Sequence, residues 1–246
     1  MLAQRIYFHE EQAICVFPDQ AADLERSIST MDLKDSYPVI VLIGGDILER
    51  QAATTSAAIQ TLARVAEDTG ALVICGGTDM GVMSEIGLVR KKNGYTFPLV
   101  GITPRELVTW PGGPHSKSFF GLGKKRWKLA EHYTHFILVP GSEFGDESPW
   151  IIEAASMLSK SHRSVTVLMN GGDVSRKDIE LSVKSGRPVI AMGGTGRLAN
   201  DLAGEPRQSL IMVIPGNADD RVYEAIRAAI SDVDEGPSVQ TLGTSA

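Results

Sequence analysis

A chain of 246 residues with 43% hydrophobic and 22% charged residues is long enough to bury a sizeable core without disulfides or metal ions. Its formal net charge of −6 at pH 7 makes nucleic acid an improbable partner, since a duplex binder usually carries a basic face. The two cysteines form no C-x-x-C pair, so neither a zinc site nor a redox dithiol is expected. No apolar run has the roughly 20 residues of a membrane span, and the N-terminus lacks the apolar core of a signal peptide, so a cytoplasmic protein is predicted.

The predicted elements begin with strands. The segments RIYFHE and AICVF alternate imperfectly and are consistent with an edge hairpin. Apolar runs rich in β-branched residues then recur along the chain, as is typical of parallel strands that are covered on both faces. These runs are Pro38–Gly45, Ala71–Gly77, Pro98–Thr103, His135–Pro140, Ser164–Gly172, Pro188–Gly194 and Ser209–Gly216.

Helical patterns separate these strands. The pattern TSAAIQTLARVAEDTG closes on Gly70, which suits a left-handed C-cap. Ser148 followed by Pro149 is typical of a helix start. Ser175 and Asp178, three residues apart, approximate a capping box, and the last helix is predicted in DDRVYEAIRAAISDV.

The alternation of strands and helices predicts one domain of the α/β class. It favours a Rossmann-like, doubly wound, mostly parallel sheet that is flanked by helices. The domain is expected to span residues 1–232, with edge strands within residues 1–37. Residues 233–246 are expected to form a flexible tail.

Four of the predicted strands end in pairs of glycines. Glycine lets backbone N–H groups approach a ligand closely, and a following helix N-terminus adds unpaired donors, which suits phosphates. Ligands of open α/β sheets bind beyond the carboxyl ends of the strands, so four pairs at one edge favour a shared cleft. Strand-to-helix turns also need small residues for steric reasons alone, and that interpretation stays open for each pair. The pairs are Gly44 with Gly45, Gly76 with Gly77, Gly171 with Gly172, and Gly193 with Gly194.

Two of these turns are candidate phosphate sites. In the first, Gly77→Val is expected to block ligand binding and to leave the fold intact, because a Cβ would occupy phosphate space. In the second, a bound anion would offset the unfavourable position of Arg197 in the first turn of a helix, or the side chain is simply solvated. The sequence has neither G-x-G-x-x-G nor G-x-x-x-x-G-K-[ST], so a standard dehydrogenase or P-loop enzyme is not predicted. The candidate residues are Gly76, Gly77, Thr78, Asp79 and Gly81 in the first turn, and Gly193, Gly194, Thr195, Gly196 and Arg197 in the second.

The segment Pro104–His132 interrupts the alternation with a long loop rich in Gly, Pro and basic residues, and such loops are usually functional or mobile. Its basic side chains could close over phosphates while Phe119, Phe120 or Trp127 stacks on a base. The alternative is a solvated basic loop whose aromatic rings pack elsewhere. The histidines lack metal-ligand spacing, so no metal is predicted. The possible lid residues are His115, Lys117, Lys124, Lys125 and Arg126.

Three segments, in this order, resemble the SLOG domain: ICGGTDMGVM, VLMNGGDVSRKDI and GRPVIAMGGTGRLANDLA. The particular similarity is to the prokaryotic branch related to TRPM-type channels (the LSDAT group), and GITPRELVTWPG and GDESPWIIEAA share it. The resemblance implies a Rossmann-like domain that binds a nucleotide-derived ligand such as ADP-ribose or a relative of NAD, as a sensor or signalling module. It implies that Asn170, Gly171 and Gly172 form part of the cleft wall and that no other cofactor is required.

More distantly, the chain resembles the LOG (lysine decarboxylase-like) phosphoribohydrolases, which cleave the base from a nucleoside 5'-monophosphate. Their motif P-G-G-x-G-T-x-x-E is matched here at Pro140 and Gly141, and Glu153 is a possible counterpart of its glutamate. The G-x-G-T core is not present. If the protein is an enzyme, the resemblance implies an N-glycosidic hydrolase with Glu153 as the catalytic carboxylate; Asp146, Glu147 and Asp79 are further candidates on chemical grounds. The alternative is that Glu153 only satisfies the helix dipole and that Asp146 and Glu147 cap the turn before Ser148. A homo-oligomer is expected from fold analogy, and a separate effector protein is a possible partner.

Overall fold

The computed structural model describes residues 3–113, 125–160, 162–205 and 209–231. Each of the seven predicted inner strands is present, and the N-terminal hairpin is confirmed. The strands are β1 Gln4–Tyr7, β2 Gln12–Val16, β3 Val39–Gly44, β4 Leu72–Cys75, β5 Leu99–Pro104, β6 Val108–Thr109, β7 Trp127–Lys128, β8 His135–Val139, β9 Ser164–Met169, β10 Val189–Gly193 and β11 Ile211–Pro215.

The helices pack on the two faces of the sheet. Helices α2, α3 and α7 cover one face, and α1, α4, α5 and α6 cover the other. None of the helices in the described residues is long and apolar enough to cross a membrane. The helices are α1 Leu24–Ile28, α2 Ala52–Thr69, α3 Gly81–Lys92, α4 Ser148–Leu158, α5 Asp173–Lys184, α6 Arg197–Asp201 and α7 Asp219–Ile230.

The apolar runs reflect burial on both faces of the sheet. In β3, Ile40 and Leu42 belong to the core under α2, whereas Val39, Val41 and Ile43 belong to the core under α4. All five side chains are at most 4% exposed. This is why the inner strands are apolar at every position and show no polar alternation.

Nine strands form one sheet in the order β1-β2-β8-β5-β4-β3-β9-β10-β11. Only the β1–β2 pair is antiparallel among the described strand pairs of this sheet. The chain enters the centre at β3 and builds one half outward through β4, β5 and β8. It then returns to β9, beside β3, and builds the other half through β10 and β11. The structure therefore confirms the doubly wound α/β class and sets the topological switch point between β3 and β9.

The four strands that end in glycine pairs are neighbours in this sheet, in the order β4-β3-β9-β10. Because all four are parallel, their turns lie side by side at one edge. The switch point falls in the middle of this row, which is where doubly wound folds open a crevice for ligands.

Two predicted helix starts are displaced. Helix α5 begins at Asp173 with Gly172 as its N-cap, so Ser175 and Asp178 lie inside the helix and form no capping box. Helix α4 begins at Ser148 itself, with Glu147 as its N-cap. In both cases the tight turn after the strand starts the helix earlier than the side-chain pattern indicates.

Candidate functional site

The turn after β3 packs tightly against its neighbours. A Cβ on Gly44 would collide with the Met169 carbonyl oxygen in the turn after β9, and one on Gly81 would collide with the Gly45 carbonyl oxygen. A Cβ on Gly45, by contrast, would meet no atom within 4 Å. Steric demand between adjacent turns therefore explains Gly44 and Gly81, while Gly45 presents its backbone to open space.

The turn between β4 and α3 uses much of its backbone within the protein. The Asp79 N–H donates to the Lys128 carbonyl (2.8 Å), and the Val82 N–H donates to the Gly45 carbonyl (3.2 Å). The Asp79 side chain accepts a hydrogen bond from the Ser84 hydroxyl (2.7 Å). Thr78 is 3% exposed, and a Cβ on Gly76 would lie at an ordinary contact distance, 3.7 Å, from the Met83 side chain. These bonds anchor the turn and leave fewer donors for a phosphate than the sequence suggested.

The expected behaviour of Gly77→Val needs correction. Gly77 has a left-handed φ of +74°, and a Cβ there would lie 2.7 Å from the Cα of Gly101 and 3.1 Å from the Phe136 ring. The missing Cβ faces the core rather than a ligand, so this substitution would disturb the fold. Gly45 and Gly172, whose Cβ positions are open, are better places to probe binding.

Asn170 joins the three turns at the switch point. Its side-chain amide donates to the Asp46 carbonyl after β3, and its backbone N–H donates to the Thr195 hydroxyl after β10 (2.8 Å). Thr195 in turn donates to the Met192 carbonyl (2.6 Å). Asn170 has a left-handed φ of +64°, which asparagine tolerates better than most residues. The turns after β3, β9 and β10 are thus one connected structure, in which Asn170 and Thr195 are fully buried.

The turn between β10 and α6 holds its amide groups around an oxygen atom. The Gly194 and Gly196 N–H groups both donate to the side-chain oxygen of Asn200, at 2.7 and 3.2 Å. Two converging N–H groups on one oxygen is the arrangement that phosphate-binding turns present to a ligand. The sequence GTGRLA, from Gly194 to Ala199, fits the variant fingerprint G-x-G-x-x-A. This variant ends in alanine, so the pattern G-x-G-x-x-G does not detect it.

Arg197 opens α6 in a left-handed conformation, with φ of +43°. A left-handed backbone conformation is energetically unfavourable for a residue with a side chain, and residues in such conformations are often found at functional sites. Its Nη1 atom would lie 4.0 Å from a Cβ on Gly172, which has no other neighbour within that distance. The guanidinium therefore stands over the start of α5, whose N-cap Gly172 supplies no side-chain hydrogen bond to the first turn. Gly171, at φ of +92°, is instead packed against Ser175 and Leu168.

Three buried polar groups around the switch point lack hydrogen-bond partners among the described residues. They are the side-chain oxygens of Gln51, Thr55 and Asn170. Gln51 is the N-cap of α2 and lies against Gly196, where a Cβ would be 3.5 Å from its carboxamide carbon. Buried polar atoms are rarely left without a partner. Neither Gln51 nor Thr55 stands out in the sequence, because no motif separates them from ordinary helix residues.

The acidic residues around the start of α4 differ sharply in their surroundings. Glu153 lies in the second turn of the helix on its exposed side. Glu147 is buried, at 7% exposure, and its carboxylate accepts the Gly145 N–H (2.7 Å). Burial raises the pKa of Glu147 to about 7, and the negative charges of Asp178 and Asp146 reinforce the rise against its backbone hydrogen bonds. Asp146 caps the turn by accepting the Ser142 and Glu143 N–H groups at 2.9 and 3.1 Å.

Asp178 on α5 is the second buried carboxyl group, at 6% exposure. Burial raises its pKa to about 6, although Ser148 and Lys177 favour the charged form. Lys177 also holds the turn before α4 by donating to the Gly145 carbonyl (2.6 Å). The sequence pattern assigned Asp178 to a cap, and only the packing of α5 against α4 buries it beside Glu147.

The proposed lid lies partly outside the described residues, which exclude His115, Lys117 and Lys124. Lys125 stands over the Trp127 ring, 5.4 Å from its centroid, and Phe144 packs edge-on to the same ring at 4.9 Å. Trp127 is therefore already packed between a cation and a second ring. Arg126 precedes the short strand β7, which pairs with β6. The segment thus includes a two-stranded ribbon within the predicted loop.

Fold and site together define the class of protein: a Rossmann-like α/β protein whose glycine turns converge at a topological switch point. The particular family follows from the sequence. A family model described as SLOG in TRPM, prokaryote, matches residues 37–241, and the chain belongs to this family.

Similarity to named proteins agrees with this assignment. The chain is 27% identical over 173 residues to the transient receptor potential cation channel subfamily M member 2 of Rattus norvegicus, and equally to that of Mus musculus. The match covers 58% of this chain and 11% of each channel, so the chain corresponds to a small part of those relatives.

Solved structures share the fold at low sequence identity. The molybdenum cofactor binding protein from Rippkaea orientalis superposes with a TM-score of 0.53 at 14% identity, covering 79% of this chain and 98% of that one. The molybdenum cofactor carrier protein from Chlamydomonas reinhardtii gives 0.52 at 17% identity, covering 78% and 99%. These likenesses establish a common fold.

Proposed function

We propose that the protein binds a nucleotide-derived ligand, of the ADP-ribose or NAD type, at the switch point between β3 and β9, as a sensor or signalling module. The observation that carries the proposal is the set of three buried oxygens without partners at this junction, on Gln51, Thr55 and Asn170. Gln51 and Asn170 lie beside turns whose amide groups and glycines suit phosphates, and Thr55 is in the first turn of α2. The family and the fold support the same class of ligand, since Rossmann-like sheets bind nucleotides at this position.

The phosphates of the ligand are assigned to two places. One is the start of α5, where the Gly172 backbone is open and the Arg197 guanidinium stands nearby. The other is the pair of amides at Gly194 and Gly196, where a phosphate oxygen would replace the side-chain oxygen of Asn200. Gly45 forms the opposite wall. The remaining candidates, including Asp79, lie in the turn after β4. Strand β4 is next to β3 on the side away from β9, so this turn borders the site.

A thermal-shift screen against AMP, ADP-ribose and NAD tests the proposal. A ligand at ~100 times its dissociation constant should stabilise the protein by roughly 2.7 kcal/mol. Arg197→Gln is expected to reduce the shift because it removes the guanidinium beside the proposed phosphate. Arg5→Gln, which changes an exposed arginine on β1 at the far edge of the sheet, serves as the charge-matched control. Equal shifts in both variants would contradict the assignment of Arg197.

The second candidate function is hydrolysis of a nucleoside 5'-monophosphate at its N-glycosidic bond. The observation that favours it is the buried carboxyl group of Glu147, because burial raises its pKa to about 7, a value suited to general acid or base catalysis. Chromatography after incubation with AMP would reveal free base and ribose phosphate. Loss of turnover in Glu147→Gln but not in Glu153→Gln would assign the role to Glu147, and the reverse would assign it to Glu153.

The homo-oligomer, the separate effector protein and the cytoplasmic location remain predictions. The two fold relatives named for the molybdenum cofactor support small-molecule binding as a use of this fold.

A further inference from the structure

A polar cavity of about 440 Å³ lies at the amino edge of the sheet, opposite the glycine turns. Its described lining comes from the end of α4 and the start of β9, from the residues between α5 and β10, and from one residue of α7. Lys160, His162, Arg163 and Arg187 all line it, alongside several serines. No carboxylate is among the described residues of its lining, so the cavity has a strongly positive wall.

Arg187 is the buried centre of this wall, at 4% exposure. Its Nε donates to the Ser164 hydroxyl (2.9 Å), and its Nη2 donates to the Ser156 hydroxyl (3.0 Å) and the Ile152 carbonyl (3.3 Å). Its Nη1 is buried and finds no acceptor in the described parts of the chain. Burial lowers the pKa of Arg187 to about 10, which keeps the guanidinium charged at neutral pH. A buried charge without a counter-charge is costly, and a bound anion would offset that cost.

Helix ends explain only part of this arrangement. Helices α4 and α5 both end at the cavity, and cations are favourable near the carbonyl ends of helices. The backbone carbonyl that Arg187 contacts, that of Ile152, lies in the middle of α4 and is not one of its four terminal carbonyls. This contact leaves Nη1 without an acceptor in the described residues. The Lys160 ammonium has a carboxylate of Glu25 3.9 Å away, but both side chains are more than half exposed, so this pair neutralises little of the local charge.

We propose that this cavity is a second ligand site, which binds the phosphoryl group of a small molecule. Arg187 supplies the buried positive charge, and the hydroxyls of Ser156 and Ser164 hold its planar guanidinium in one orientation. Lys160 and Arg163, both exposed, stand at the mouth and meet the remaining phosphate oxygens. The volume suits a phosphorylated small molecule rather than a bare ion.

This site is independent of the one proposed at the glycine turns. Helices α4 and α5, of 11 and 12 residues, run the height of the sheet between the two edges. At 1.5 Å per residue they separate the two sites by roughly 17 Å. Both can therefore be filled at once, and each can be removed by substitution without altering the other.

Pyrophosphate is the probe for the experiment, titrated calorimetrically at constant ionic strength. Lys160→Gln with Arg163→Gln removes the two exposed cations and avoids Arg187, whose loss would also disturb the end of α4. Arg5→Gln with Lys92→Gln is the control, since it removes the same charge from exposed positions on β1 and α3. All titrations use the Arg197→Gln background so that the glycine-turn site contributes least.

Loss of the two cations at the cavity is expected to weaken pyrophosphate binding about tenfold, or about 1.4 kcal/mol, because both charged donors at the mouth are removed. The control pair is expected to leave the affinity unchanged. Equal weakening by both pairs would reduce the effect to net charge and overturn the proposal. So would an absence of saturable binding in the Arg197→Gln background, or variants that lose thermal stability while their affinity is unchanged, since the cations would then serve only the helix ends.

Discussion

At the scale of single residues, the fold buries two carboxyl groups, those of Glu147 and Asp178. Both carboxyl groups are buried where α4 and α5 meet, and burial raises the pKa of each. The pKa of Glu147 is raised from 4.5 to about 7 by burial and that of Asp178 from 3.8 to about 6. The folded state therefore holds protons that the unfolded state releases.

This protonation predicts that stability falls as the pH rises. The contribution of neutral Glu147 is fully present below pH 4.5 and is lost as the pH rises through about 7. Glu147→Gln keeps a neutral acceptor for the Gly145 N–H, so its free energy of unfolding should change less between pH 5 and pH 8. Urea unfolding at several pH values measures this, and the variant should be more stable than the wild type by about 1–3 kcal/mol at pH 8. Parallel pH profiles for the two proteins would contradict a buried, proton-holding Glu147.

The glycines also separate at this scale into two groups. Gly44, Gly77 and Gly81 are required by neighbouring atoms that leave no room for a Cβ. Gly45 and Gly172 face open space, and packing alone does not account for them. A close approach of backbone to a ligand is one physical reason for glycine at such positions, and the N-cap position of Gly172 is another.

At the scale of elements, the turn between β10 and α6 depends on Asn200. Its side-chain oxygen accepts hydrogen bonds from the Gly194 and Gly196 N–H groups, which have no acceptor within the short helix α6. The asparagine is exposed and can turn away, so a phosphate oxygen can take the same place. The Asn200 side chain therefore holds the turn in the conformation to which the proposal assigns a phosphate.

Asn200→Ala should lower the free energy of unfolding by about 0.5–2 kcal/mol, as the loss of a helix cap does. It should not weaken binding of the nucleotide that raises the melting temperature, because a phosphate supplies the missing acceptor. Chemical denaturation and calorimetric titration measure the two effects. Asn93→Ala removes a comparable bond, from the Asn93 amide to the Val89 carbonyl at the end of α3, and serves as the control. Weaker binding in Asn200→Ala alone would mean that Asn200 itself contacts the ligand.

At the scale of the whole molecule, the first 36 residues are part of the core even though the family match begins at residue 37. Strand β2 pairs with β8 and buries Cys15 and Val16, while Leu24 and Met31 fill the core under α4. The ring of His135 contacts the Met31 carbonyl through Nε2 (2.9 Å). Without this segment, β8 would become an exposed edge.

Two truncations should therefore behave differently. A chain that begins at Tyr37 loses, with other buried residues, the side chains of Val16, Leu24 and Met31, worth about 1.5–3 kcal/mol each, against a total stability of about 5–15 kcal/mol. It is expected not to fold cooperatively. A chain that ends at residue 232 is expected to melt within about 2 °C of the full chain if the predicted flexible tail is correct. Circular dichroism melts measure both, and a large loss in the second truncation would assign the tail a structural role.

The sequence by itself determined the class of fold, the inner strands and the row of glycine turns. Runs such as Val39–Gly44 are apolar at every position, and only a sheet covered on both faces accommodates that pattern. The strand ends are marked by glycine because a tight turn restricts φ locally. The strand pattern and the turn conformations are short-range constraints, whereas Gly44, Gly77 and Gly81 are also required by atoms from other turns and strands.

The tertiary structure alone decided which groups meet. The return of the chain from β8 to β9 brings Asn170 beside Asp46, 124 residues away, and buries Asp178 near Glu147. It also points a Cβ at position 77 toward the core. It brings Lys160, Arg163 and Arg187 together at the amino edge of the sheet. Burial and long-range contact set these pKa values and partners, and they depend on strand order, which no local pattern encodes.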